Sequence, residues 1–343
     1  DLGTKLWTLE DSRGIHTLRG MSHSGAKVAF SRDGTLLAAL MNDWRVGIWD
    51  VQQKKLRHRL QMPAGFYVDN AGLQFTPDGS HFLFSAGTKM TAWDMKTGEL
   101  RCEWKLPPGL ADQIGVSQEG EIRLMRGETQ NKTGGPFSDN PPSIDPRVIR
   151  LRVMSWDGTM TTRKTINRFP LHFHRSGTTR DGKYFVIKGV KGNGESSVLV
   201  VGGEAGHEIY ELPATYPSSS SPLIIADQSN CLLQIHNDPE HNIAASLFQL
   251  NDGKRLPGLP YFCGAVEPNI RFGAMANGLT TDLYDLKESR HLLKMQSAVK
   301  ASSYQSQFSP DGKLFAWARL DGTIAVCDLE RVNQELKTIE MGW

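Results

Sequence analysis

The chain has 343 residues, of which 39% are hydrophobic and 22% charged, so it has enough apolar side chains for a large core and is not a disordered chain. Its 39 basic and 37 acidic residues leave a net charge of +2, which disfavours nucleic acid as a partner because phosphate-binding surfaces need a surplus of cations. No apolar run approaches the roughly 20 residues of a membrane helix, and no membrane partner is predicted.

A turn signal recurs along the chain, in which a hydroxyl residue is followed two or three positions later by an acidic residue and glycine. Its copies are Ser31–Gly34, Thr76–Gly79, Ser117–Gly120, Thr179–Gly182 and Ser309–Gly312. The carboxylate caps its own backbone and the glycine accepts a positive φ, so each copy predicts a tight turn. Short apolar strands follow, as at 36–40, 82–84 and 314–317.

A second signal lags the first and is an alternating strand that ends in an aromatic residue and aspartate. Its copies end at Asp50, Asp94, Asp157 and Asp285, and in the last copy Cys327 replaces the aromatic residue before Asp328. Both signals share a period of about 43 residues, which is the range for the four strands of a propeller blade.

These residues resemble the WD40 repeat family. The resemblance covers nearly the whole chain and is strong over residues 23–105 and 301–341. It implies an all-β fold, a toroidal seven-bladed β-propeller of four-stranded antiparallel blades with strands a to d from the centre outward. The Asp-Gly turns would join strands a and b, and the aromatic-Asp pairs would end strand c.

The chain is expected to form a single domain, 1–343, of seven blades. Their predicted spans are 22–62, 69–106, 112–169, 171–213, 222–258, 261–296 and 301–341. Residues 127–147 of the third blade form an insertion between strands b and c. Its Gly134-Gly135-Pro136 and Pro141-Pro142 are not tolerated in a regular strand.

The N-terminus offers a surplus pair of strands. Trp7 is in phase with Trp49 as a strand c, and 16–19 then corresponds to a strand d. One interpretation is that residues 4–20 join the C-terminal blade, which closes the ring and removes exposed sheet edges. The tail from about Glu335 to Trp343 is then displaced or packs elsewhere. The alternative is an eighth blade whose strands a and b come from an upstream segment.

Several polar and aromatic residues are assigned structural roles by the resemblance. His23 before strand a, Asp43 in the b–c turn and Trp49 on strand c match part of the family's buried hydrogen-bond chain, which looks incomplete in this blade. Trp93 and Asp321 are the matching residues of the second and last blades.

Candidate partner-binding residues lie in loops that the propeller topology places on one face. Trp44 and Arg45 are in the first b–c turn, and aromatic and arginine side chains are common anchors of protein interfaces. The other candidates are Phe66, Tyr67, Tyr261 and Phe262 in d–a loops, Phe137 in the insertion and Tyr216 in the loop 212–222. The basic run 54–59 on an outer strand d is interpreted as a solvated face.

No constellation in the sequence predicts catalysis, a cofactor or a metal site. The four cysteines, Cys102, Cys231, Cys263 and Cys327, are far apart and indicate free thiols in a reducing, cytoplasmic compartment. The favoured function is a non-catalytic scaffold for a protein or peptide partner. Two alternatives remain open: a regulatory module of a larger signalling protein such as a kinase or NTPase, and a propeller enzyme with a site in the central channel.

Overall fold

The computed structural model describes residues 14–63, 71–107, 109–128, 148–166, 172–190, 196–204, 209–213, 223–226, 230–236, 244–259, 264–338 and 342. Within these ranges the chain forms 28 β-strands and one α-helix. Its contacts divide it into two compact units, unit 1 (Asp1–Met62 with Leu259–Trp343) and unit 2 (Pro63–Gly258).

The strands are numbered in chain order. Those of the N-terminal part of unit 1 are β1 (Ile15–Leu18), β2 (Gly25–Phe30), β3 (Leu36–Met41), β4 (Arg45–Asp50) and β5 (Lys55–Gln61). The next eight are β6 (Gly72–Phe75), β7 (His81–Ala86), β8 (Lys89–Asp94), β9 (Leu100–Lys105), β10 (Gly109–Val116), β11 (Ile122–Glu128), β12 (Val148–Met154) and β13 (Met160–Ile166). They are followed by β14 (His172–Thr178), β15 (Tyr184–Val190), β16 (Ser196–Gly202), β17 (Ile209–Pro213), β18 (Leu223–Ala226), β19 (Cys231–His236), β20 (Ala244–Gln249) and β21 (Arg255–Leu259). The C-terminal part holds β22 (Ala265–Val266), β23 (Phe272–Asn277), β24 (Thr280–Asp285), β25 (Arg290–Gln296), β26 (Ala301–Phe308), β27 (Leu314–Arg319), β28 (Ile324–Asp328) and helix α1 (Leu329–Lys337).

The strands pair into seven four-stranded antiparallel sheets. Six sheets consist of four consecutive strands, from β2-β3-β4-β5 to β22-β23-β24-β25, and the seventh has the order β1-β28-β27-β26. This composition confirms the predicted fold class, a seven-bladed β-propeller, rather than the eight-bladed alternative. Each sheet is called a blade below. Its strands are labelled a to d in chain order, except in the seventh blade, where β26, β27 and β28 are strands a to c and β1 is strand d.

The predicted Asp-Gly turns form through the chemistry that the sequence indicated. In the first blade the Ser31 hydroxyl donates to Asp33 Oδ1 at 2.6 Å and accepts from the Leu36 amide at 2.9 Å. Gly34 then adopts a φ of 73°. The corresponding hydroxyl–carboxylate bonds in three other blades are Thr76–Asp78 at 2.6 Å, Thr179–Asp181 at 2.7 Å and Ser309–Asp311 at 2.6 Å.

The last blade takes its outer strand from the N-terminal part of the chain. Strand β1 pairs antiparallel with β28, with Ile15 opposite Cys327 and Leu18 opposite Ile324. Residues 1–13, and with them Trp7, lie outside the described residues, so a role for the whole segment 4–20 stays a prediction, as does a single domain over 1–343.

The residues after β28 form a helix, which the sequence analysis did not predict; it expected the tail from about Glu335 to be displaced or to pack elsewhere. The Asp328 carboxylate caps helix α1 by accepting from the Arg331 amide at 2.9 Å. Leu329, Val332 and Leu336 are buried in one cluster with Ile15 and Cys327. Gly14 passes so close to the helix that a Cβ there would overlap Val332 Cγ2.

Each unit has its own apolar core between blades. In unit 1, the Phe315 and Trp317 rings stack with centroids 5.4 Å apart, and the Phe308 ring contacts Phe315 in a tilted arrangement at 4.8 Å. In unit 2, separate clusters form around Leu83 and Leu124 and around Phe185 and Leu199. In the third blade, β11 continues to Glu128 and β12 begins at Val148, so the predicted insertion 127–147 overlaps the end of β11 and otherwise lies outside the described residues.

Candidate interaction face

Three b–c turns of unit 1 are tied together at one edge of their blades. The Ala301 amide donates to the Gly278 carbonyl at 2.7 Å, and the Leu320 amide donates to the Lys300 carbonyl at 3.0 Å. A Cβ at Gly322 would lie 2.9 Å from backbone atoms of Met21 and His23. These contacts place the turns of the sixth, seventh and first blades on one surface, called here the b–c face: 278–279, 320–322 and 42–44, with the connecting residues 21–24 and 297–300.

Trp44 is held in a backbone conformation that bulky residues rarely adopt. Its φ is 61°, in the left-handed region, and its side chain is partly exposed. The Trp44 amide donates to the Met41 carbonyl at 3.1 Å, and its carbonyl accepts from the Met62 amide at 2.9 Å. The turn therefore fixes the backbone at Trp44 through hydrogen bonds on both sides.

Asp43 connects the residues on either side of Trp44. Its Oδ2 lies 2.9 Å from His23 Nδ1 and accepts from Arg45 Nε at 2.6 Å. The His23 and Arg45 side chains are 52% and 41% exposed, whereas Asp43 is 16% exposed. The carboxylate thus orients two accessible side chains, those of His23 and of Arg45, the residue after Trp44.

Two leucines add apolar surface to the same face. Leu320 is 49% exposed and Leu279 is 41% exposed, and each lies in a b–c turn. Sequence reasoning missed both, although a large apolar residue between two predicted strands at a turn was a usable signal. Together with Trp44 they form a surface that can desolvate against a partner while the Asp43 cluster supplies directional contacts.

The predicted structural residues have different surroundings in different blades. Trp49 is fully buried, and its Nε1 donates to the Arg19 carbonyl at 2.9 Å. Trp93 Nε1 donates to Thr91 Oγ1 at 3.1 Å, and Asp321 Oδ1 accepts from the Thr323 amide at 2.9 Å. The His23–Asp43 contact therefore exists without Trp49 as its next hydrogen-bond partner.

The remaining predicted partner-binding residues lie outside the described residues. They are Phe66, Tyr67, Phe137, Tyr216, Tyr261 and Phe262. Of the original candidates, the structure brings together Trp44 and Arg45, which join His23 and Asp43 on the b–c face.

Other chemistry in the described ranges is limited. No group of three or more His, Cys, Asp or Glu side chains there is arranged to hold a metal ion. Cys102, Cys231 and Cys327 are free thiols, and burial followed by the nearby Asp328 charge raises the pKa of Cys327 to about 12. The described part of the chain has no helix long and apolar enough to cross a membrane.

Comparisons with known proteins point to WD-repeat proteins. The chain is 34% identical over 108 residues to human apoptotic protease-activating factor 1, and 26% identical over 129 residues to the periodic tryptophan protein 2 homolog of Schizosaccharomyces pombe. It is 42% identical over 69 residues to WD repeat and SOCS box-containing protein 1 of Takifugu rubripes. These matches cover 29%, 37% and 20% of this chain and only 8%, 14% and 16% of the relatives. No protein-family model matches the chain.

The fold comparison covers far more of the chain than the sequence matches do. The β-propeller domain of Cps50 (Swd1) from Myceliophteria thermophila superimposes with a TM-score of 0.64, covering 92% of this chain and 99% of that domain. The two sequences are 15% identical, so this likeness concerns the fold alone.

Proposed function

We propose that this β-propeller, whose sequence is similar to WD-repeat proteins, is a non-catalytic scaffold that binds a protein or peptide partner through the b–c face of unit 1. WD40 propellers generally bind protein partners, and the strands of this chain supply a rigid support for the turns. The proposal places the contact on Trp44, Arg45 and His23 at the turn of the first blade, and extends it to Leu320 and Leu279 in the turns of the seventh and sixth blades.

The conformation of Trp44 is the observation that carries the proposal. A bulky residue in the left-handed region costs roughly 1–2 kcal/mol, and such strain tends to be kept at functional sites. The matching turn of the seventh blade has Gly322 at this position, with a φ of 84°. An indole at a position suited to glycine lowers the stability of the fold, but it presents an aromatic anchor to a partner.

The surrounding residues fit the composition of an interface. Tryptophan and arginine are enriched among the residues that dominate binding energy, and apolar neighbours exclude water from them. The Asp43 carboxylate holds Arg45 in place, which lowers the entropy lost when a partner orders that side chain. The b–c face therefore combines an aromatic anchor, two leucines and two oriented donors.

A displayed library of random peptides, selected against the purified chain, tests the proposal. Selected peptides should lose most of their affinity for Trp44→Gly and Leu320→Ser, measured by fluorescence anisotropy. Leu100→Ser is the matched control because Leu100 is 47% exposed but belongs to unit 2. The proposal fails if selected peptides bind both b–c face variants as tightly as the unaltered chain.

We also propose a reducing, cytoplasmic location, supported by the three free thiols at Cys102, Cys231 and Cys327. A fluorescent fusion expressed in the cells of origin would place the protein directly. Recovery of the chain from an oxidising compartment, with any of these thiols in a disulfide, would contradict the location.

A further inference from the structure

The tryptophan of the third blade lies outside its strand c. Strand β12 ends at Met154, so the pair Trp156-Asp157 falls in the c–d turn that follows, instead of ending the strand as the sequence predicted. The tryptophan of the corresponding pair in the first blade, Trp49, is fully buried, whereas Trp156 is 37% exposed. A residue type that stabilises the core of one blade is therefore presented at the surface of another.

Two aromatic side chains of the second blade hold the Trp156 indole. Its ring centroid lies 4.9 Å from that of His81 on β7 and 5.9 Å from that of Trp104 on β9. The turn is closed by the Gly158 amide, which donates to the Ser155 carbonyl at 2.9 Å, and a Cβ at Gly158 would lie 2.9 Å from Trp104 Cδ1. His81, Trp104 and Trp156 are called the aromatic cluster below. Because packing already orders the indole, a partner loses little entropy in fixing it.

A carboxylate lies beside His81 on the same face of the second blade. Asp94 on β8 is directly opposite His81 in the strand register, so the two side chains project from one face of the sheet. The amides of Thr97 and Lys96 donate to Asp94 Oδ1 at 3.0 and 2.7 Å and, with the charges of His81 and Arg101, lower the pKa of Asp94. The Asp94 carboxylate is therefore ionised at neutral pH beside the aromatic cluster.

The turns around the aromatic cluster are strongly acidic. The a–b and c–d turns lie at the same end of these antiparallel blades, and in the second and third blades they comprise residues 76–80, 94–99, 117–121 and 155–159. They contain one lysine, Lys96, and six acidic residues, Asp78, Asp94, Glu99, Glu119, Glu121 and Asp157. The same turns of the first blade, 31–35 and 50–54, contain two acidic and two basic residues. The excess of negative charge is thus a feature of this place in the fold and not of the turn type.

Internal ion pairs account for one of the six carboxylates. Glu121 accepts from Arg123 Nε at 2.7 Å and from Arg163 Nη2 at 2.6 Å. In the described part of the chain the other five form no ion pair with a basic side chain. Asp157, which directly follows Trp156, is exposed and accepts from the Thr159 amide at 2.9 Å. Negative charge is therefore available to a partner right beside the exposed indole.

We propose that the aromatic cluster and the acidic turns around it bind a basic segment of a partner protein, with an arginine side chain against the Trp156 indole. A cation over an indole is attracted by the ring, and arginine takes this position most often. Its guanidinium is weakly hydrated and donates in a fixed fork to carboxylates, here those of Asp94 and Asp157. The site belongs to unit 2, so it is a second interaction surface besides the b–c face of unit 1.

The surroundings of Trp156 favour a basic peptide over other occupants. The b–c face accompanies its indole with the exposed Leu279 and Leu320, as suits an apolar partner, whereas the aromatic cluster is accompanied by carboxylates. An acidic surface repels nucleic acids and anionic lipid headgroups. In the described ranges no group of three or more His, Cys, Asp or Glu side chains is arranged to hold a metal ion, which disfavours an inorganic cation.

The test uses the full chain and two labelled peptides of the same length. One has three arginines separated by glycine and serine, and in the other citrulline, a neutral isostere, replaces each arginine. Fluorescence anisotropy should show that the arginine peptide binds at low salt, that its binding weakens as salt rises toward about 0.5 M, and that the citrulline peptide binds at least about tenfold more weakly. Trp156→Ala should weaken binding of the arginine peptide about tenfold.

A second variant tests the negative charge without disturbing the aromatic packing. Glu99→Gln/Asp157→Asn removes two charges and keeps a side-chain acceptor for the Thr159 amide, and it should also weaken binding of the arginine peptide about tenfold. The matched control is Asp50→Asn/Glu288→Gln, which makes the same charge change in c–d turns of unit 1. It should bind the arginine peptide as the unaltered chain does, and equal weakening by the two double variants would overturn the proposal.

Two further controls separate the aromatic cluster from other surfaces. Leu100→Ala removes an exposed apolar side chain opposite Trp93, on the other face of the second blade, and Trp44→Gly alters the b–c face. Both should bind the arginine peptide as the unaltered chain does. Equal affinity for the two peptides, or a loss in either control as large as in Trp156→Ala, would contradict the proposal. So would self-association of the chain that Trp156→Ala abolishes, since the occupant would then be a second copy. Circular dichroism on every variant confirms that the fold is retained.

Discussion

Trp44 occupies in the β3–β4 hairpin the backbone position that Gly322 occupies in the β27–β28 hairpin. Their φ angles are 61° and 84°, and their amides donate to the carbonyls of Met41 and Arg319 at 3.1 and 3.3 Å. In both turns the preceding aspartate accepts from the following amide, Asp43 from Arg45 at 3.4 Å and Asp321 from Thr323 at 2.9 Å. The two turns share one backbone geometry, with tryptophan in one and glycine in the other at the left-handed position.

This equivalence predicts an unusual order of stability at position 44. Trp44→Gly should be more stable than Trp44→Ala by about 1 kcal/mol, because alanine keeps the unfavourable left-handed conformation and glycine does not. Urea denaturation followed by circular dichroism measures the difference. Both variants should lose binding of selected peptides equally, and an alanine variant at least as stable as the glycine variant would show that the backbone at Trp44 is unstrained.

The repeats could be predicted because their signals are local. In Ser31–Asp33, Thr76–Asp78 and Ser309–Asp311 the hydrogen-bonding partners are two residues apart, so the residue types themselves specify the turn. The acceptor of Trp49 could not be predicted, because it is the backbone carbonyl of Arg19, thirty positions earlier. A carbonyl is present at every residue, and only the folded chain selects one.

Helix α1 was missed because the strand signal at Cys327-Asp328 was given precedence over the helical spacing of the residues that follow it. Cys327-Asp328 matches the end of a strand c, which favours a turn and a further strand. The residues that follow, Leu329, Val332 and Leu336, repeat with the helical period, and the aspartate serves as the N-cap. The outer position of that blade is filled by β1, so the chain after β28 can form a helix that covers it.

The three described thiols should differ in reactivity in the folded chain. Cys102 is partly exposed, and Cys231 is 2% exposed with its pKa raised by burial. Cys327 is fully buried, and its pKa is raised to about 12. Since the thiolate is the reactive form, alkylation by iodoacetamide should proceed in the order Cys102, Cys231, Cys327.

Peptide mapping by mass spectrometry at successive times gives the rate for each cysteine. Alkylation in denaturant is the control, in which the three rates should converge. Fast modification of Cys327 in the folded chain would show that the helix and β1 open frequently.

The pairing of β1 with β28 predicts a large stability cost for a change at Leu18. Leu18 is fully buried and belongs to the cluster that includes Trp49 and Ile324, so Leu18→Ala should lower the free energy of unfolding by about 2–5 kcal/mol. Leu279→Ala, at a leucine that is 41% exposed, is the matched control and should cost less than about 1 kcal/mol.

Deletion of residues 1–20 tests the same relationship at the level of the segment. It removes β1 together with the Arg19 carbonyl that pairs with Trp49, so thermal unfolding should shift to a clearly lower temperature. An unchanged Tm after this deletion would mean that β1 contributes nothing to the last blade.

The contact between His16 and Lys54 predicts that the free energy of unfolding decreases as the pH is lowered through the mildly acidic range. His16 Nδ1 lies 2.9 Å from Lys54 Nζ, and because an ammonium only donates, the imidazole must be neutral to accept. Partial burial, Lys54 and Arg331 lower the pKa of His16 from its ordinary 6.5, against the opposing Asp328. The unfolded chain therefore binds a proton at a higher pH than the folded chain does. The contribution of His16 to stability is complete above the unfolded pKa and is lost as pH falls from there through the folded pKa.

Thermal unfolding of the unaltered chain and of His16→Gln, compared at about pH 7.5 and about pH 5.5 at constant ionic strength, should show a smaller pH-dependent loss for the variant. The same loss in both proteins would assign the pH dependence to other groups.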